Sequence, residues 1–318
     1  MATSKIGQEF QENSAFAILA IKNVYTCLPT TTFDLSDKTR VMTHLPIREF
    51  RVWKQWLGSS RMKRLEKANL VLVVEEPSNN PGVLDDLHRR ITKDLRYLFA
   101  MLHLRPGIDI ANGADLLGGF FVNGETQIRQ VDRMQTFFQT RGWTPKPITM
   151  DWLKDSVGRL NGVAAMEAGR PRFQRVRRGL RTLLKGLQER RGDDRLHQFV
   201  RSLEGPIHPE RGETKKQFVH RCQTFAKPGE DTRTWLKEAY DMRSNTEHLN
   251  SLDQGEDACW ERTRLIECLA CSVYSRLLCD PEVRMHFETD AAIDEFWKLR
   301  DHERRCLWGT PLDLSQIP

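Results

Sequence analysis

The amino-acid sequence predicts an α+β protein, with a mixed α/β module over residues 1–145 and an all-α helical bundle over 150–318. Three observations lead there. Short apolar runs of strand length, at 16–21 and 69–74, lie in the first part. A hairpin signature follows them at Phe120-Phe121-Val122-Asn123-Gly124. Beyond Gly142-Trp143-Thr144-Pro145-Lys146-Pro147, where two prolines in three residues break any regular element, the apolar spacing turns helical almost throughout.

In the first part, Phe-Ala-Ile-Leu-Ala-Ile at 16–21 and Asn-Leu-Val-Leu-Val-Val at 69–74 read as buried strands from their length and β-branching. Leu84, Leu87, Ile91, Leu95, Leu98, Phe99 and Leu102 recur at helical spacing and predict one amphipathic helix. Asn123-Gly124 marks a two-residue turn into Gln127, Ile128 and Val131. His44, His88 and His103 are isolated, with packing or surface roles.

In the second part, residues 153–166 predict a helix that breaks at Gly169-Arg170-Pro171. Next, Arg172, Arg175, Arg177, Arg178, Arg181, Lys185, Arg190 and Arg191 interleave with Phe173, Val176, Leu180, Leu183, Leu184 and Leu187. That is an amphipathic helix with a basic polar face, either simply solvated or binding phosphate, with membrane-surface attachment a third reading that core packing of the apolar face makes unnecessary. Leu196, Phe199, Val200 and Leu203 give a helix ending at Gly205-Pro206, and Phe218, Val219, Cys222 and Phe225 give the next, ending at Pro228-Gly229. A buried helix is expected over 260–278 and a last amphipathic one around Ile293, Phe296, Trp297 and Leu299. Trp297 and Trp308 read as core and cap residues.

A chain of 318 residues with eight tryptophans has ample material for packed cores, and its net charge of +6 fits a polyanionic partner without demanding one. Seven scattered cysteines read as free thiols in a reducing compartment. Cys268-x-x-Cys271 lies in a buried-helix pattern with no matching second pair, which argues against a zinc site. The first ten residues lack the architecture of a signal peptide, and no apolar run is long enough to span a bilayer. The expectation is a cytoplasmic protein, with no metal, no cofactor and no membrane partner. Asp85-Asp86 and Asp193-Asp194 are adjacent pairs without the strand-borne Asp-x-Asp that magnesium-dependent nucleotidyl transfer would use.

The residues richest in chemistry are Tyr240-Asp241-Met242-Arg243-Ser244-Asn245-Thr246-Glu247-His248-Leu249. Arg243 offers a permanent charge and a planar fork of donors suited to phosphate, and His248 can move protons near neutral pH. Together they could cut RNA without a metal, one stabilising phosphoryl charge and the other serving as general acid or base. Five residues of ideal helix rotate the two side chains apart by about 140°. Structural readings stand beside this one. Arg243 could pair with Asp241, Glu247 or Glu204, and His248 could bond a nearby carbonyl. Glu204 reads as a structural partner on an otherwise apolar helix, with Arg243 as one candidate. His220-Arg221 forms a second basic pair flanking Phe218 and Cys222.

A helical bundle with Arg-x4-His late in the chain resembles the HEPN superfamily, and most nearly its Apea-like group. The family's Tyr-Asp-x-Arg-Ser-x-x-x-His segment matches residues 240–248, while 196–204 and 217–222 look like its earlier helices. Phe296-Trp297 with Leu307-Trp308-Gly309 looks like its closing segment, so the resemblance covers about 150–314. It implies a metal-independent endoribonuclease of a prokaryotic defence or toxin system, leaving a 2′,3′-cyclic phosphate. Arg243 and His248 would be catalytic, Ser244 and Asn245 orienting, and Arg221 and His220 RNA-binding. The partners implied are RNA, a second copy of the chain joined through the bundle, and a regulatory protein that keeps it silent. Two departures stand out: Leu249-Asn250 where the family often has glycine, and Glu247 beside the histidine. The alternative is an inactive HEPN module that binds RNA or a nucleotide, or only dimerises.

Overall fold

The strand expected at 16–21 lies in the middle of a sheet. In the computed structural model, which describes residues 10–29, 31–46, 54–55, 57–110, 113–248 and 255–318, β1 (Ser14–Lys22) is buried along nearly its whole length. After the short β2 (Thr26–Cys27) come β3 (Thr32–Ser36), β4 (Thr39–Met42), helix α1 (Ser59–Leu65) and β5 (Ala68–Pro77). Helix α2 (Leu84–Leu102) leads to β6 (Ala114–Val122), β7 (Glu125–Arg133) and the short β8 (Ile148–Thr149). The six longer strands form one antiparallel sheet in the order β3-β4-β5-β1-β6-β7, and β2 pairs with β8 in parallel. The chain is α+β, as the periodicities predict.

β1 is apolar on both sides because the sheet is covered on both. Ile18 pairs with Val73 of β5 and Leu117 of β6, and with Phe16, Ala20 and Val71 these side chains pack on Met62 and Leu65 of α1. The opposite face meets α2. A Cβ on Gly118 would stand 2.5 Å from His88 Nε2, so glycine admits the helix there, and the His88 ring sits edge-on to Phe120 at 5.7 Å. The hairpin is the expected one: Val122 pairs with Glu125, while Asn123 and Gly124 both take positive φ (54° and 73°), as a type I′ turn needs.

The chain divides into two compact units. One holds the residues up to Ala100 with Asp109–Phe137 and Lys146–Lys154; the other holds Met101–Ile108, Phe138–Pro145 and Asp155–Pro318. Residues 142–147 carry no helix or strand.

The second unit is helical. It comprises α3 (Met150–Ala168) from Asp155 on, α4 (Gln174–Gln188), α5 (Gly192–Ile207), α6 (Thr214–Phe225), α7 (Glu230–Glu247) and α8 (Glu256–Cys279). The short α9 (Pro281–Met285), α10 (Asp290–Lys298) and α11 (Asp301–Trp308) follow. α5 is the central element: Leu196, Phe199, Val200, Leu203 and Ile207 are buried, and it packs on α4, α7 and α8. It runs two residues past Gly205, with Pro206 in its last turn, where the Pro206 carbonyl accepts a bond from Trp297 Nε1 (3.0 Å). Phe225, Phe287, Phe296, Trp297 and Trp308 form an aromatic cluster around the C-terminal helices, so both tryptophans are core residues.

The seven cysteines are free, and burial pushes the Cys222 and Cys271 thiols up in pKa, which keeps them protonated. Among the described residues no helix is long and apolar enough to cross a membrane.

Candidate functional site

α7 carries Arg243 because an apolar stripe holds that helix in place. Glu230 and Asp231 occupy its first turn, where negative charge suits the helix dipole, and Leu236, Ala239, Tyr240 and Met242 are buried. The Tyr240 ring packs on Phe218 of α6 at 5.3 Å. One turn on, Arg243 lies over the Tyr240 ring (5.5 Å) with its side chain only 12% exposed.

The guanidinium is held between two carboxylates. Glu247 pairs with it from the next turn of α7, and Glu204 of α5 approaches to 3.4 Å. The Glu204 contact pairs charges without a directed hydrogen bond, since Glu204 Oε1 and Arg243 Nε are both buried without one. His197, Arg201 and Glu204 form an i, i+4, i+7 stripe of α5, so the histidine joins the same cluster.

Burial sets the protonation of this cluster. It raises the Glu204 carboxyl, although Arg243 and Arg201 pull the other way. It lowers the His197 imidazole, and the Arg243 charge lowers it further, against a favourable contribution from the Arg243 backbone. The site thus pairs a fixed cation with a carboxyl that takes up a proton easily and an imidazole that gives one up easily.

His248 sits elsewhere on the same helix end. It is the C-cap of α7 (φ −91°, ψ 7°), exposed, with its N–H donating to the Ser244 carbonyl (3.1 Å). The contacts of Arg243 run to Tyr240, Glu204 and Glu247, and His248 is not among them. Ser244 and Asn245 are half-buried between the two. Leu249 and Asn250, the departure from the family pattern, lie outside the described residues, as do residues 1–9 at the start of the chain.

The remaining sequence candidates have other partners. Asp241 pairs with Lys215 (2.5 Å) rather than with Arg243. The Arg221 guanidinium donates to the carbonyls of Ile207 and His208, both at 2.7 Å, and lies over the Trp297 ring at 5.2 Å. It therefore closes the C-terminal end of α5, with 14% of its side chain exposed, which is a structural post for a residue expected to bind RNA. His220 is exposed, 3.8 Å from Asp301, and lines a groove between α6 and α7 with Lys216, Arg233 and Lys237. Just before α4 Arg172 pairs with Glu288, and on its basic face Arg175 and Arg177 pair with Asp290 and Glu167, while Arg178 is exposed.

Glu204 is legible in the sequence as a partner of Arg243. His197 is not among the sequence candidates, and the one signal that could have found it is its i, i+7 spacing to Glu204. Among the described residues, no group of three or more His, Cys, Asp or Glu side chains is placed to hold a metal ion. The chain matches no family model, no curated protein and no solved structure.

Proposed function

We propose that the helical unit acts on RNA as a HEPN-type endoribonuclease, with Arg243 binding the scissile phosphate and His248 transferring the proton. The observation that carries this is the end of α7, where a preorganised guanidinium is followed, five residues on, by an exposed histidine at the point where the helix stops. The reaction needs no group beyond the substrate and side chains. The ribose 2′-oxygen bonds to phosphorus, the bond to the 5′-oxygen breaks, and one proton leaves the hydroxyl while another reaches the leaving oxygen. Arg243 stabilises the phosphoryl charge as a phosphate displaces Glu247, the more exposed of its two partners at 39% against 21% for Glu204. A second copy of the chain, packed through the bundle, would supply a second His248 for the other proton. A role in defence or as a toxin, and silencing by a partner protein, belong to the same proposal.

The test is incubation of the purified protein and its His248→Ala variant with total RNA in EDTA, followed by analysis of the ends. Histidine-dependent cleavage leaving 2′,3′-cyclic phosphates is the expected result. RNA left equally intact, or equally cut, by both proteins would overturn the reading.

The separation of the two candidates, with His248 not among the contacts of Arg243, favours a second reading, in which the module binds RNA without cutting it. Under that reading Arg243→Ala weakens RNA binding, and His248→Ala changes neither binding nor the RNA.

A further inference from the structure

α4 and α5 pack closely along their lengths, and Gly179 and Gly205 lie side by side in that contact. A Cβ on Gly179 would lie 1.8 Å from Tyr274 Oη and 2.7 Å from the Ser202 carbonyl, and one on Gly205 would lie 3.5 Å from the Gly179 Cα. Beside this close approach the two helices leave a cleft of about 350 Å³, with Gly179 and Gly205 among its lining residues. Its walls are charged. Arg175, Arg178 and Thr182 come from α4, Arg201 and Glu204 from α5, and Asp290 closes one end.

The charges are not balanced within the cleft. Asp290 is engaged by Arg175 through two hydrogen bonds (3.0 and 3.3 Å), and Glu204 by Arg243 behind the wall. Arg178 and Arg201 are both exposed, and among the described residues neither is in an ion pair. Two guanidiniums outside any ion pair, on neighbouring helices and lining the same cleft as Thr182, suit the oxygens of a tetrahedral anion. The α6–α7 groove is larger, but its Lys215 and Lys216 are paired with Asp241 and Glu213.

We infer that this cleft is a phosphate subsite for an RNA strand, in which Arg178 and Arg201 grip a backbone phosphate one or more nucleotides away from the bond that is cut. The inference rests on the proposal that the unit acts on RNA, and Glu204 joins the two places by lining the cleft and holding Arg243. It makes the substrate a polymer: a mononucleotide can fill one place but not both.

The experiment measures binding of a 2′-O-methylated oligoribonucleotide, which cannot be cut through its 2′-oxygen, by the full-length protein across a range of salt. The variants are Arg178→Glu/Arg201→Glu and, as a control on the same helix outside the cleft, Arg181→Glu. The double reversal is expected to weaken binding at least tenfold and to flatten the salt dependence by about 0.7 in log–log slope for each phosphate that the protein no longer neutralises. Arg181→Glu should leave both unchanged. The inference is overturned if the wild type does not bind the strand, if the double reversal binds like the wild type, if Arg181→Glu weakens binding as much, or if AMP competes as well per molecule as the strand. Its failure is distinct from that of the nuclease reading: cleft-dependent binding with no His248-dependent cleavage of ordinary RNA would keep this subsite and remove the nuclease.

Discussion

The Arg195 guanidinium and the Glu267 carboxylate face each other at 3.4 Å in the interior of the helical unit, with side chains 0% and 4% exposed. Arg195 also donates to the carbonyls of Leu187 and Glu189, joining α5 to the end of α4, and Glu267 accepts from Trp143 Nε1 (3.0 Å). Desolvation opposes the charge on Arg195, so the pair depends on the partners' mutual attraction together with these further hydrogen bonds. Glu267→Ala is expected to destabilise the unit by about 3–5 kcal/mol, the cost of one buried charge left alone. Replacing both residues by apolar ones of similar volume should restore much of that loss. Denaturant titration of the two single variants and the double variant checks it; additive losses would mean that the pair is not coupled.

The α4–α5 crossing gives a second expectation. Tyr274 Oη donates to the Ser202 carbonyl at 2.7 Å beside Gly179. Gly179→Ala drives a methyl group into both atoms and should destabilise by about 1–3 kcal/mol, as overpacking does. Tyr274→Phe alone removes a buried hydrogen bond and should lose about 1–1.5 kcal/mol. In the Gly179→Ala background the same change removes one of the clashing atoms, so the two losses together should come to less than their sum. Thermal unfolding of the four proteins reads this directly.

His197 makes the cluster sensitive to mild acid. Its folded pKa is depressed by burial and by Arg243, so the unfolded chain binds a proton first as pH falls. The stability it contributes is present above its ordinary value of about 6.5 and is lost as pH drops from there through the folded value. Glu204 works in the opposite sense. Its raised pKa favours the folded state at low pH, and that contribution is lost as pH rises through the folded value. His197→Asn should therefore lose less stability than the wild type between about pH 6.5 and pH 5, a window set by the ordinary histidine value. Parallel curves of stability against pH would show that His197 titrates alike in both states.

Much of this was legible in the sequence for a physical reason. Strands such as β1 and β5 declare themselves because burial on both faces demands unbroken apolar runs, and the Asn123-Gly124 turn because few residues tolerate positive φ. Arg243 stands out because its type and its neighbours are unusual together. Its environment was less legible. Beyond its i, i+7 spacing to Glu204, nothing local says that His197 would lie beside Arg243, or that Arg221 would be used to close α5, because both follow from helix packing. The arginine cleft was hidden for the same reason. Arg178 and Arg201 are twenty-three positions apart, and the packing of α4 on α5 brings them to one opening.

Glu247 offers the sharpest test of how Arg243 is used. It sits one turn from Arg243, pairs with it, and is the more exposed of its two carboxylate partners. A phosphate approaching Arg243 must compete with this carboxylate for the same donors, and its own charge is repelled by it. Glu247→Gln keeps the shape and removes the charge, while Glu204 still holds the guanidinium from the other helix. Binding of the 2′-O-methylated strand is therefore expected to tighten several-fold, with a steeper salt dependence as one more cation becomes available. Arg243→Ala in the same background should abolish the gain, because the effect acts through that guanidinium. If Glu247→Gln binds no better, or tightens binding equally with Arg243 absent, then the pair is a helix-stabilising contact and Arg243 does not meet the phosphate.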